Sequence, residues 1–144
     1  MPAWLKAFIL WFGILALAIL NGTLREMLLI PAFGSFVGLI ASGIILAICI
    51  FGTAWLAVPW WGSCTAAQWW RIGAFWLLLT LVFEFGFGLA QHKTWAELLA
   101  AYTFTAGNIW PLVLVQTLIS PRLAAGIRGA VQASGVPRMH PPGV

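Results

Sequence analysis

From Pro31 to Val58 the sequence runs for 28 residues without an Asp, Glu, Lys or Arg. Such a run offers water no charged surface, and roughly 20 apolar residues in a helix already cross a hydrocarbon core of ~30 Å. Three further apolar runs occupy about 4–20, 69–90 and 102–119. Pro31 suits a first helical turn and Pro59 lies just past the second run, while Pro111 predicts a kink in the fourth and Pro121 its end. Segments such as Gly43 to Phe51 are apolar on every side and lack the alternation of barrel strands. The expected fold is therefore all-α, a polytopic integral membrane protein built as a four-transmembrane-helix bundle over 1–120. A basic cytoplasmic tail follows over 121–144, helical to about Val131 and disordered from about 135.

Composition excludes the other broad classes. Charged residues make up 7% of the chain, against roughly 25% in a soluble domain. Hydrophobic residues reach 62%, which excludes a disordered protein, and two cysteines are too few for a disulfide-stapled secreted domain.

With four spans both termini share one side, which collects Lys6, Arg71, Arg122, Arg128 and Arg138. Arg25 and Lys93 fall opposite. The positive-inside rule then puts both ends in the cytoplasm and the 21–30 and 91–101 connections outside. The expected location is the inner (plasma) membrane of a bacterial cell. A lysine before the first run suggests a signal peptide, but Ala18-Ile19-Leu20-Asn21 offers no cleavage site, so the run is read as an uncleaved anchor. Asn21-Gly22-Thr23 matches the glycosylation sequon only as a short pattern. Thr94 to Tyr102 reads as a short interfacial amphipathic helix, with Thr94 and Glu97 at capping-box spacing.

Glu84 is the residue most in need of a reason. It interrupts the run from Leu77 to Gly88, and a carboxylate within a span is costly unless protonated, paired or hydrated. On a helix it shares a face with Thr80 and Gly88. At the same expected depth lie Arg25 and Glu26, together with His92 and Asn108. An Arg25–Glu84 pair would satisfy both buried charges and clamp the first hairpin to the third span. The cluster serves equally well as a site for an ion, a proton or another ligand. Gly34, Gly38 and Ser42 form a ladder of small residues suited to close helix packing, either within the chain or against a second one.

Other chemistry is sparse. Cys49 and Cys64 are too far apart for a CxxC pair, and His92 and His140 fall on opposite sides of the membrane, so they cannot share a metal or ligate one haem. No metal or other cofactor is expected; a pigment, quinone or haem ligand is the weaker reading. Nine of the ten tryptophans fall toward span ends, as in an interfacial belt, with Trp60-Trp61 and Trp69-Trp70 framing one connection. Three arginines spread through the tail are too sparse for nucleic acid and suit anionic lipid.

The segments Asn21-Gly-Thr-Leu-Arg-Glu26, Phe83-Glu-Phe-Gly-Phe-Gly88 and Gly107-Asn-Ile-Trp-Pro-Leu112 resemble a family of small bacterial inner-membrane proteins of four spans and uncharacterised function. Thr23-Leu-Arg25 followed by Gly34-Ser-Phe36 is also similar to the first helices of small fluoride channels, without their asparagine before the glycine or their phenylalanine track. Three functions follow as expectations. The first is a non-enzymatic accessory or structural subunit that contacts the bilayer and other membrane subunits, or itself. The second is a small oligomeric transporter or channel using Glu84, and the third an enzyme acting on lipid or quinone.

Overall fold

The computed structural model describes residues 1–100, 102–104 and 107–132, and these are mostly helical. In chain order they form α1 (Ala3–Leu24), a π-helical turn (Arg25–Leu29), α2 (Ile30–Trp61), β1 (Cys64–Thr65), α3 (Ala66–Ala90), α4 (Trp95–Ala100), α5 (Trp110–Ile127) and β2 (Val131–Gln132). Three helical runs, Ala3–Trp61, Ala66–Ala90 and Trp110–Ile127, are long and apolar enough to cross a membrane.

The first run folds back on itself. In a straight helix Lys6 and Trp60 would lie ~80 Å apart. Instead Lys6 Nζ donates to the Trp60 carbonyl at 2.8 Å, and the Trp61 indole to the Ala3 carbonyl at 3.4 Å. The reversal is at Gly34, whose φ of 85° and ψ of 167° belong to glycine almost alone. Helix therefore continues through 21–30, where the sequence predicts an external connection. Pro31 would break an ordinary helix there, but the Ile30 N–H bonds the Arg25 carbonyl five residues back, and this π-helical register widens the turn ahead of the ring. The small-residue ladder is spent inside the chain. Gly34 makes the reversal, Gly38 faces the Ile30 backbone and Ser42 meets Asn21.

Around this hairpin, α5 packs along both α2 and α3, while α1 packs mainly on α2 and touches α3 less. Trp69 and Trp76 are fully buried near the end of the molecule that carries the N-terminus, with the Trp61 ring 5.7 and 6.1 Å from theirs. Trp76 Nε1 donates to the Ala7 carbonyl at 2.8 Å. Trp60 and Trp70 are exposed, as a belt requires, whereas Trp11 and Trp69, expected in the same belt, are core.

Three helix boundaries also move. A reciprocal capping box between Thr65 and Gln68 starts α3 ahead of the Trp69-Trp70 pair. Helix α5 begins at Trp110 rather than near 102 and runs through Pro121 to Ile127, so Pro111 sits in the first turn and kinks nothing. Cys64–Thr65 pairs in parallel with Val131–Gln132, which ties the α2–α3 link to the chain after α5. The disorder expected from about 135, together with Arg138 and His140, lies outside the described residues.

Candidate binding site

Side-chain contacts set the relative heights of α1 and α3. Trp11 Nε1 donates to Thr80 Oγ1 at 3.0 Å and Trp76 Nε1 to the Ala7 carbonyl, so both helices climb in step with Glu84 level with Leu15. Because α1 does not stop at residue 20, Arg25 lies ten residues, or ~15 Å, further along. The expected Arg25–Glu84 pair does not form. Arg25 Nε donates to Glu26 Oε1 at 3.1 Å, the one ion pair among the described residues.

Glu84 is satisfied from another direction. Tyr102 Oη and Trp110 Nε1 each donate to its Oε2 at 2.9 Å. Both donors belong to the segment that leads from α3 into α5. Thr94 and Glu97 complete the expected capping box, with Thr94 N donating to Glu97 Oε2 at 2.9 Å and Glu97 N to Thr94 Oγ1 at 3.2 Å. Leu98 of α4 then packs against Gly88, which has no side chain to block it. Tyr102 stacks on Phe85 with ring centroids 5.7 Å apart, and Asn108 Oδ1 accepts from the Trp110 N–H at 3.1 Å. Burial, the hydrogen bond to Glu84 and the charge on that carboxylate raise the Tyr102 phenol above its ordinary range, against a smaller opposing effect of Trp110. The hydroxyl therefore keeps its proton and donates.

Glu84 borders a cavity of about 460 Å³ bounded by α1, α2, α3 and α5, within the usual size of small-molecule sites. Trp11, Phe83, Phe87 and Trp110 supply aromatic walls; Asn21, Ser42, Thr80, Gln91 and Asn108 supply polar groups. Arg25, Lys93 and Glu97 also line it. Asn21 Nδ2 donates to the Ser42 carbonyl at 3.0 Å and to Ser42 Oγ at 2.8 Å, while its buried Oδ1 has no partner among the described residues. Of the residues singled out in the sequence, the cavity gathers Arg25, Ser42, Thr80, Glu84, Gly88 and Asn108. Glu26 and His92 are exposed and do not line it, and His92 takes a positive φ of 62° just after α3.

Sequence reasoning missed Tyr102 and Trp110 as partners of Glu84, because an aromatic residue near a span end also fits an interfacial belt. The available signal was chemical: a buried carboxylate needs donors, and an indole N–H or phenol O–H needs an acceptor when buried. The chain matches no protein-family model, no curated protein and no solved structure.

Proposed function

We propose that the chain is an integral membrane protein that crosses the bilayer four times and takes a small solute into the Glu84 cavity. The four spans are the hairpin arms on either side of Gly34, then α3 and α5. Support comes from a skin of large apolar side chains along the helices, including Phe12, Ile48, Leu56, Leu78 and Val82, all exposed. Lipid accommodates such a surface and water does not. Lys6 lies over the Trp60 ring at 5.5 Å and Arg128 over Trp55 at 5.1 Å, both toward the end that carries the N-terminus. The positive-inside rule assigns that end to the cytoplasm and the Gly34 end to the outside.

One observation carries the solute reading. Glu84 sits in the C-terminal third of its helix, six residues before the end at Ala90, held by two neutral donors, and it lines open volume. A carboxylate kept only as a structural clamp has no need of a polar cavity beside it. The test is solute access. In a protein lacking Cys49 and Cys64, Thr80→Cys should react with a charged, membrane-impermeant thiosulfonate added from outside. Reaction of Lys93→Cys but not Thr80→Cys would overturn the reading.

A second reading, an accessory subunit of a larger membrane complex, is favoured by a groove between α2 and α5. This groove has a volume of about 440 Å³ and is lined almost wholly by apolar side chains around Gln116. The Gln116 Oε1 is buried without a donor among the described residues. Co-purification in mild detergent, lost in Gln116→Leu, is the corresponding test.

A further inference from the structure

Resting on the cavity reading, we infer that the solute is an organic cation whose ammonium group sits against Glu84 among aromatic rings.

The pairing of the charges points this way. Among the described residues, Arg25 is already paired with Glu26, and Lys93 and Glu97 lie four residues apart in the same segment with opposite charge. Glu84 has no ion-pair partner among the described residues, and it is the less exposed of the two unpaired carboxylates in the lining. Its two donors are neutral and both are spent on Oε2, which leaves Oε1 without a donor among the described residues. A cationic guest supplies what the chain withholds, and the attraction is strong where water is scarce.

The walls select the kind of cation. Trp11, Phe83, Phe87 and Trp110 line the cavity from three helices, and aromatic rings bind alkylated ammonium groups through their negative faces. A metal ion needs a shell of several oxygen, nitrogen or sulfur ligands. No group of three or more His, Cys, Asp or Glu side chains able to hold one occurs among the described residues. An anion at Glu84 would meet a like charge. Asn21, only 7% exposed, lines the same cavity, and its Oδ1 is buried without a donor among the described residues.

The experiment uses the full chain in dodecyl maltoside, a detergent without ammonium groups, with radiolabelled benzyltrimethylammonium as the probe in equilibrium dialysis. Saturable binding is expected, displaced by the unlabelled cation but not by neopentylbenzene, its uncharged isostere. Glu84→Gln should bind at least tenfold more weakly. Phe87→Leu alters an exposed side chain and should fold whatever becomes of the Glu84 variant; it should weaken binding severalfold. Equal displacement by the isostere, or full affinity in Glu84→Gln, would overturn the cation assignment while leaving the cavity reading intact. Absence of probe binding with Thr80→Cys still reactive overturns it in the same way, whereas absence of both removes the cavity reading as well. Ethanolamine and lysophosphatidylethanolamine separate the two sources of an ammonium group. Stronger displacement by the lipid points to a headgroup and stronger displacement by ethanolamine to a free solute, and either supports the cation.

Discussion

Trp110 Nε1 donates to Oε2 of Glu84 at 2.9 Å, so the first residue of α5 is fastened to the C-terminal third of α3. The Tyr102 hydroxyl reaches the same oxygen from the chain just before α5. One carboxylate thereby anchors the whole connection that carries α4, and it does so from the wall of the cavity.

That convergence predicts how the two donors combine. Hydrogen bonds to a charged acceptor contribute about 1.5–3 kcal/mol each. Trp110→Phe and Tyr102→Phe should each destabilise the protein by an amount in that range. Because both act on one oxygen, the double variant should cost more than the sum of the singles, since in each single variant the remaining donor tightens and offsets part of the loss, and in the double variant none remains. Unfolding of the four proteins in micelles by heat or by denaturing detergent measures this. Strict additivity would show that the two donors serve Glu84 independently.

Much of the scaffold was legible because lipid-sized apolar runs have few alternatives to helix, and the Thr94–Glu97 capping box is a local pattern with a local cause. The site was legible only as a list of residues needing partners. Arg25 was assigned to Glu84 on the assumption that the first span ended near residue 20. A π-helical turn before Pro31, followed by a reversal at a single glycine, carries the arginine well past it. Neither device has a sequence signature as clear as a cap. Trp69 shows the other difficulty, since an indole near a helix end is equally good as belt or as core until its neighbours are known.

Gly34 should tolerate no side chain. Its φ and ψ lie where a Cβ collides with the backbone, and forcing another residue there costs about 1–3 kcal/mol. Gly34→Ala should therefore lower stability by that amount. Gly38→Ala should also destabilise, for a different reason, since its Cβ would fall 3.1 Å from the Ile30 nitrogen and prise the arms apart. An alanine at 34 that leaves the unfolding midpoint unchanged would mean that the chain turns elsewhere.

Asn21 and Ser42 hold the two arms together in the buried middle of the hairpin. Ser42→Ala removes only the bond to Oγ and leaves the one to the backbone carbonyl, so a loss of about 0.5–1.5 kcal/mol is expected. Asn21→Ala removes both bonds and opens space, and should cost more, roughly 1–3 kcal/mol. Equal losses from the two variants, measured by the same unfolding assay, would show that the backbone bond contributes nothing.

Cys64 reports both the sidedness of the chain and the setting of the β1–β2 pair. Burial pushes its thiol above the ordinary range, and the nearby positive charge of Lys6 offsets part of that rise. The thiolate is the reactive form, so a raised thiol carries less of it at neutral pH. Labelling by a maleimide at pH 7 should be slower than for a free cysteine. It should climb about tenfold per pH unit while the thiol stays mostly protonated, and level off at a higher pH than the free amino acid does. Replacing Lys6 by alanine removes the lowering influence and should slow the reaction at pH 7 further. In intact cells an impermeant maleimide should miss Cys64 and reach it only in inverted vesicles, because β1 lies on the side assigned to the cytoplasm. Labelling of Cys64 from outside intact cells would reverse the proposed orientation and move the mouth of the cavity to the cytoplasmic face.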